Sequence, residues 1–294
     1  MNAIEIKNLT KDYGDHRGVF NLSLNVAANQ VFGFLGPNGA GKTTTIRNLL
    51  GFIKPDQGQC LINGLDCWSQ TSAIHNQLSY LPGEITFIDD MKGLEFIRFI
   101  AEINQIPSMD KAYELLKYFE LDPKGSIKKM SKGMKQKVAL VCAFMQDRQV
   151  IILDEPSSGL DPLMQQKFIE LVLAEKQRGK TIFMSSHIFE EVEKCCDHTA
   201  IIKDGCLVAV EEIAALKNSR RKIYDIEMAS AAQALAFSKD YPDIEKIADK
   251  LVSVVIVGST APLIKALGRY EVTALDVRTQ SLEELFMHFY GGKD

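Results

Sequence analysis

The segment GPNGAGKTT, residues 36–44, carries residue types that can bind phosphate groups. It fits the pattern G-x-x-x-x-G-K-[ST] in full, between a predicted buried strand and a predicted helix. In such a loop, backbone N–H groups turn inward onto phosphate oxygens, and the helix N-terminus adds its dipole. Lys42 adds a positive charge for β- and γ-phosphates, and the Thr43 hydroxyl suits a Mg²⁺ ligand. The alternative is a tight structural turn, but motif and context together favour a phosphate site. The predicted phosphate-binding residues are Gly36, Pro37, Asn38, Gly39, Ala40, Gly41, Lys42, Thr43 and Thr44.

Two acidic residues follow a second predicted buried strand, in the segment VIILDEP. Asp154 can hold Mg²⁺ directly or through water, and Glu155 can activate a water molecule against the γ-phosphate. Without the phosphate-binding loop, this pair would be interpreted as ordinary loop acids. His187 ends the predicted strand TIFMSSH, where it can either reach a γ-phosphate oxygen or be a surface histidine. The candidate catalytic residues are therefore Lys42, Glu155 and His187.

The elements that must position these residues can be predicted from periodicity. Residues 2 to about 30 alternate between apolar and polar types, which predicts antiparallel strands. Residues 91–147 follow helical spacing, and TAIIKDGCLVAVE predicts a hairpin that turns at Asp204 and Gly205. After about Lys217 the predicted order is β-α-β-β-α-β, that of a ferredoxin-like split motif, and then a helix over 282–290.

The bulk properties of the chain limit the classes of function. Its 294 residues carry a formal net charge of −4, which argues mildly against wholesale electrostatic capture of nucleic acid. No apolar run approaches the roughly 18 residues that span a bilayer, so we expect a soluble or peripheral protein. The six cysteines lack the spacing of a zinc site. If the protein serves a membrane, it does so through a partner.

The order of the motifs resembles that of the nucleotide-binding subunits of ATP-binding cassette (ABC) transporters. The phosphate-binding loop is followed by a helical stretch, MSKGM, ILDEP, SSGLDP and a strand that ends in histidine. The resemblance covers residues 2 to about 215. It implies an α/β fold: a RecA-like P-loop NTPase core, an N-terminal antiparallel β-subdomain and a helical signature subdomain at about 88–147. The predicted domains are an ATPase domain over 1–216 and a C-terminal α+β, ferredoxin-like module over 217–294.

The resemblance also implies roles for residues outside the phosphate loop. In this family two copies sandwich ATP head to tail, and Ser131 and Gly133 of MSKGM match the residues that meet the γ-phosphate across the interface. Lys132 and Met134 depart from the common form of that motif. Tyr13 resembles the aromatic residue that stacks on adenine, although it could be a core or strand aromatic. Asp161 resembles the loop acid that links the two sites. The alternative is a helix N-cap, and the two roles can coexist.

One departure from the family pattern lies near the end of the strand at Tyr80. The family usually has a glutamine where this sequence has Gly83, in YLPGEIT. The next residue, Glu84, could substitute as an oxygen ligand for Mg²⁺ or be only a surface acid. The candidate metal ligands are therefore Thr43, Asp154 and Glu84.

YLPGE and MSKGMKQK together resemble the export branch of these cassettes, which pairs with separate permeases. The resemblance implies an ATP hydrolase that uses ATP and Mg²⁺, dimerises on ATP and powers export through a multi-span membrane permease. It would lie in the cytoplasm, peripheral to the inner face of the cell membrane. No nucleic-acid partner is expected. The alternative is a soluble cassette ATPase that acts on nucleic acid or ribosomes, although those translation factors usually carry two cassettes in one chain.

Overall fold

The structure is a computed structural model that describes residues 1–88, 90–219, 221–241, 244–256, 259–279, 281 and 283–284. The chain divides into two compact units, Met1–Glu212 and Ile213–Asp294. This division falls before a helix at Ile213–Ser219, whereas the sequence predicted a boundary after residue 216. The helix predicted over 282–290 lies almost wholly outside the described residues.

Unit 1, Met1–Glu212, contains both strands and helices. Its strands are β1 (Asn2–Asp12), β2 (Gly18–Ala27), β3 (Val31–Leu35), β4 (Gln57–Ile62), β5 (Leu65–Asp66), β6 (Leu78–Leu81), β7 (Val150–Asp154), β8 (Thr181–Ser186), β9 (His198–Lys203) and β10 (Cys206–Glu212). Its helices are α1 (Lys42–Leu49), α2 (Thr71–His75), α3 (Gly93–Ile103), α4 (Asp110–Tyr118), α5 (Lys132–Phe144), α6 (Pro162–Gln177) and α7 (Phe189–Cys195).

An antiparallel sheet is built from β2, β1, β4 and β5, in that order. In β2 the buried residues Leu22, Leu24 and Val26 alternate with exposed ones, so one face of the strand packs on the core. The predicted antiparallel strands near the N-terminus are therefore confirmed. This sheet leads directly into the central sheet through β3.

The central sheet has the order β10-β9-β3-β8-β7-β6, and every pair is parallel except the β9–β10 hairpin. All residues of β3, β7 and β8 are buried, as expected for strands covered on both faces. Parallel strands end at the same edge of a sheet, where ligands of open α/β sheets bind. The segments that follow β3, β7 and β8 carry the phosphate loop, Glu155 and His187, so the topology brings these distant segments together.

The predicted helical region contains α3, α4 and α5. Ser131 begins α5 as its N-cap, and its hydroxyl accepts a hydrogen bond from the Met134 N–H at 3.2 Å. Val138 and Val141 are fully buried, so α5 is anchored in the core by its apolar side chains. No helix within the described residues is long and apolar enough to cross a membrane.

Unit 2, Ile213–Asp294, contains a sheet and helices. Its elements are α8 (Ile213–Ser219), β11 (Lys222–Met228), α9 (Ala231–Asp240), β12 (Ile244–Ala248), β13 (Leu251–Ile256), α10 (Ala261–Leu267) and β14 (Val272–Thr279). The sheet order is β12-β13-β11-β14, and the pairs are antiparallel. Its core includes Ile226, Phe237, Val252 and Leu263, which gives this unit its own apolar centre.

Candidate active site

A cleft of about 750 Å³ opens at the edge of the central sheet where β3, β7 and β8 end. It is large enough for a nucleotide-sized ligand. Twelve of the predicted site residues line it: Tyr13, Pro37, Asn38, Gly39, Gly41, Lys42, Thr43, Thr44, Glu84, Asp154, Glu155 and His187. The sequence-predicted phosphate, metal and catalytic residues thus meet in one place, although Asp154 lies 111 residues after Thr43.

The phosphate loop wraps around the side chain of Lys42. Gly39 and Gly41 have φ angles of +83° and +107°, a region that favours glycine, and a Cβ at Gly41 would lie 2.7 Å from Val19 Cγ1. Lys42 is 6% exposed, and its Nζ donates to the carbonyl oxygen of Gly36 at 2.6 Å. The loop therefore holds its cation inside the cleft. Ala40 is buried, so it shapes the loop from within and does not line the cleft.

Glu155 lies between two candidate catalytic groups. Its Oε1 is 3.0 Å from Lys42 Nζ, and its Oε2 is in hydrogen-bonding contact with Nδ1 of His187. The Glu155 backbone has φ +50°, which is unusual for a residue with a side chain and recurs at functional sites. The carboxylate is 21% exposed, so water can reach it from the cleft. The Glu155 carboxylate thus links the Lys42 ammonium group to the His187 imidazole.

Asp154 is held by hydroxyl groups on both of its oxygens. Thr43 Oγ1 donates to Oδ2 at 3.0 Å, and Ser185 Oγ on β8 donates to Oδ1 at 2.5 Å. Asp154 is 2% exposed, yet it lines the cleft. Hydroxyl and carboxylate oxygens are the ligands that Mg²⁺ prefers, so this donor pair fits the metal.

Gly83 packs its backbone against the same carboxylate. An added Cβ would lie 3.3 Å from Cγ and Oδ2 of Asp154, closer than most side chains come. A side chain at this position would therefore press on the Asp154 carboxylate, which would have to give by a few tenths of an ångström. Glu84 lines the cleft as an exposed residue. Nearby, burial raises the pKa of Tyr80 to about 12, and the charge of Asp154 adds to that rise, so the phenol stays protonated.

Tyr13 is 50% exposed and lines the cleft, so it is not a core aromatic. The ammonium group of Lys11 lies 5.8 Å from its ring centroid, over one face of the ring. Tyr13 therefore offers an accessible aromatic surface at the cleft.

Within the part of the chain that the structure describes, the lining of this cleft does not include Ser131, Gly133 or Asp161. Ser131 and Asp161 both cap helices, and Asp161 Oδ1 accepts from the Met164 N–H at 3.0 Å. The capping role considered for Asp161 is therefore confirmed. A Cβ at Gly133 would lie 2.8 Å from the carbonyl oxygen of Gly159, so the start of α5 packs directly on the loop before α6.

Several cleft residues were missed by the sequence analysis. Arg47 also lines the cleft and lies four residues after Thr43 on α1, a spacing that places both on one helix face. The helical spacing from Thr43 could therefore have predicted that Arg47 lies at the cleft. Lys132 lines the cleft, and its side chain lies across Gly159. A Cβ added to Gly159 would lie 2.9–3.2 Å from three carbon atoms of the Lys132 side chain. Ser185 could be found only from the strand order. The cleft residues outside the predicted set are Arg17, Gly18, Arg47, Tyr80, Pro82, Gly83, Lys132 and Ser158.

Comparisons with known proteins agree with this geometry. A family model described as "ABC transporter" matches residues 19–158. The chain is 33% identical to the bacitracin transport ATP-binding protein BcrA of Bacillus licheniformis, over 98% of this chain and 97% of that protein. It is also 33% identical to the Nod factor export ATP-binding protein I of Cupriavidus metallidurans, over 71% of each. A solved structure of an ATP-binding subunit of an ABC transporter superposes with a TM-score of 0.67 and 29% identity, covering 73% of this chain and 92% of that one.

Proposed function

The chain belongs to the ABC transporter family of ATP-binding proteins, and we propose that its cleft binds ATP with Mg²⁺ through the residues described above. It is an ATPase with the cassette fold. The observation that carries the site assignment is the convergence of Lys42, Thr43, Asp154, Glu155 and His187 on one cleft. These residues come from three separate segments, which a merely structural turn would not require.

We propose that Lys42 binds the β- and γ-phosphates. Its Nζ is now held by the Gly36 carbonyl and by Glu155, both of which are negative or partly negative groups. Phosphate oxygens can replace these partners, because they carry more negative charge at the same end of the side chain. The loop glycines supply backbone N–H donors, and Tyr13 supplies an aromatic face for the base. The exchange frees Glu155 for its role in hydrolysis.

Thr43 and Asp154 would hold Mg²⁺, with Glu84 as a further oxygen donor at the mouth of the cleft. Bound Mg²⁺ neutralises charge on the phosphate oxygens. The chain itself positions the donors: Ser185 fixes the Asp154 carboxylate, and Gly83 leaves room beside it. Glu155 takes a proton from the attacking water, and His187 orients Glu155 through their shared contact.

The assignment of the site is tested by Lys42→Ala in the full chain. The variant removes the cation that the loop encloses, so we expect it to lose most of its ATP affinity and turnover. Titration with a fluorescent ATP analogue measures the first, and phosphate release measures the second. Lys54→Ala, outside the cleft lining, is the matched control. Equal ATP binding by Lys42→Ala and the wild type would overturn the assignment.

We propose that a second copy of the chain completes the site. Ser131 and Gly133 do not line the cleft of their own copy, and they lie in the N-terminal turn of α5. In a head-to-tail dimer these groups can meet the γ-phosphate held by the partner. ATP binding then draws two copies together, and hydrolysis lets them part.

We propose that the dimer powers export through a separate membrane permease, from the cytoplasmic face of the membrane. The name of one relative, in Nod factor export, supports this direction, and the name of another, in bacitracin transport, supports a role in transport. We propose that the permease docks near residues 88–130, a range that begins at the exposed apolar residue Ile88. Co-purification from membranes tests this proposal. A multi-span protein is expected, and a ribosome or nucleic acid would overturn it.

We further propose that residues 217–294 form a ferredoxin-like module, separate from an ATPase domain over 1–216. The strand-helix-strand-strand-helix-strand order and the sheet order β12-β13-β11-β14 support this proposal. The division of the compact units before Ile213 suggests that α8 belongs with the module. Limited proteolysis near residue 212 would test whether the two parts separate.

A further inference from the structure

A buried carboxylate behind the cleft joins two segments that carry candidate catalytic residues. Glu191 lies in α7, shortly after His187, and is 5% exposed. Its Oε2 accepts hydrogen bonds from Ser157 Oγ at 3.1 Å and from Ser186 Oγ at 2.8 Å. Ser157 belongs to the loop that follows Glu155, and Ser186 directly precedes His187. One oxygen atom thus ties both segments to the same helix.

The network around Glu191 extends into the backbone on the histidine side. Ser186 Oγ also accepts from the Ile188 N–H at 3.0 Å, which fixes the chain on both sides of His187. On the other side, the Ser157 carbonyl accepts from the Leu160 N–H at 3.0 Å, within the loop that leads to Asp161. Both serines are buried, at 5% and 1% exposed, so water does not readily replace the carboxylate.

The carboxylate is incompletely satisfied. Its Oε1 is buried and has no hydrogen-bond partner among the described residues. Burial raises the pKa of Glu191 to about 7, although both serine hydroxyls oppose this rise. The charge of Glu155 raises the pKa further, and that of His187 lowers it. The other titratable groups near Glu191 are Glu190, Lys194, Cys195 and Cys196.

We propose that Glu191 is a positioning residue for ATP hydrolysis, which holds the loop after Glu155 in register with the strand end that carries His187. Glu191 does not line the nucleotide cleft. Its effect on hydrolysis therefore passes through the contact between Glu155 and His187. The imidazole of His187 must meet the carboxylate of Glu155 in order to orient it. This proposal rests on the proposed hydrolytic function.

The ionised form of Glu191 is a better hydrogen-bond acceptor than its protonated form, since hydrogen bonds to charged groups are roughly twice as strong as those between neutral groups. Below its pKa, Glu191 is a neutral acid and resembles glutamine in shape and charge. The two forms should therefore hold the loops with different strength. This difference distinguishes positioning from a merely structural role. Ionisation of Glu191 lowers the stability of the wild type relative to Glu191→Gln as pH rises, so a merely structural role would not make the wild type the more active protein at high pH.

The test compares Glu191→Gln with the wild type as full chains across pH, with MgATP turnover as the readout. We expect the two kcat values to be alike at pH 5.5 and to differ by about fivefold at pH 8.5, where only the wild type is charged. The KM for ATP should stay the same, since Glu191 does not touch the nucleotide cleft. Comparison at the same pH cancels the pH dependence of turnover that both proteins share.

The matched control is Glu190→Gln, a neighbour on α7 whose carboxylate pairs with Lys194 at the surface; it should leave kcat unchanged. Ser157→Ala is the second variant if Glu191→Gln fails to fold, and it should lower kcat without changing KM. A kcat ratio of wild type to Glu191→Gln that stays constant with pH, or an unchanged kcat in Ser157→Ala, would overturn the proposal. Absence of ATP turnover in the wild type would instead contradict the proposed function.

Discussion

Lys42 Nζ lies 3.0 Å from Oε1 of Glu155, so the cation of the phosphate loop and the proposed base neutralise each other within the cleft. Lys42, which is 6% exposed, is thereby kept from being a buried charge without a partner, which would be costly. On the proposed assignment, a bound triphosphate gives Lys42 stronger partners and releases the Glu155 carboxylate. The contact between Lys42 and Glu155 would then couple nucleotide binding to the availability of the proposed base.

Gly83→Ala is predicted to weaken the response to Mg²⁺. The new Cβ would lie 3.3 Å from the Asp154 carboxylate, which must shift from its position between Thr43 and Ser185. We expect the Mg²⁺ concentration for half-maximal turnover to rise by about tenfold, which is roughly 1.4 kcal/mol, while ATP binding without metal is unchanged. Gly125→Ala, where an added Cβ would meet nothing within 4 Å, is the control. An unaltered Mg²⁺ dependence would show that Asp154 is not a ligand or can move freely.

Glu191→Gln is predicted to change how stability depends on pH. The pKa of Glu191 is raised from 4.5 to about 7 in the folded chain, so the folded state binds more protons than the unfolded state between these values. The contribution of Glu191 to stability is thus fully present below pH 4.5 and lost as pH rises through 7. Relative to Glu191→Gln, the wild type should lose up to roughly 3 kcal/mol of unfolding free energy over this range. Urea titrations of both proteins at several pH values measure the difference, and parallel curves would contradict it.

Lys111→Met is predicted to destabilise unit 1. Lys111 Nζ lies 2.9 Å from Oε1 of Glu175, a carboxylate that is 4% exposed, and 3.0 Å from Asp147. The substitution removes one cation from the buried Glu175 carboxylate, which keeps Arg178 as a partner at 2.9 Å. We therefore expect the free energy of unfolding to fall by about 1–3 kcal/mol. Thermal unfolding measures it. Lys117→Met, an exposed position on the same helix, is the control, and equal melting temperatures for both variants would refute the role of the ion pair.

Much of the ATPase site could be predicted because its signals are local. The phosphate loop combines glycine, lysine and threonine at fixed spacing, and β7 ends in Asp154 after an unbroken apolar run. Both depend on residues that are neighbours in sequence. Likewise, the hairpin at Asp204 and Gly205 follows from residues that tolerate positive φ, which the structure gives as 49° and 75°.

The remaining features depend on which segments meet in space. Ser185 contacts Asp154 because β8 lies beside β7, an order that periodicity does not contain. Lys132 reaches the cleft only because Gly159 leaves room for its side chain. The helix α7 was missed because seven residues make too short a pattern for helical spacing to be distinguished.

We propose that Glu155 is the general base of a site that closes between two copies of the chain. Glu155→Gln keeps the shape of the side chain but cannot take a proton from water. We expect turnover to fall by roughly 10²–10⁴-fold, ATP to remain bound, and an ATP-bound dimer to accumulate. Phosphate release, measured together with size-exclusion chromatography in MgATP, gives both results from one preparation. Unchanged turnover without an ATP-bound dimer would contradict the account.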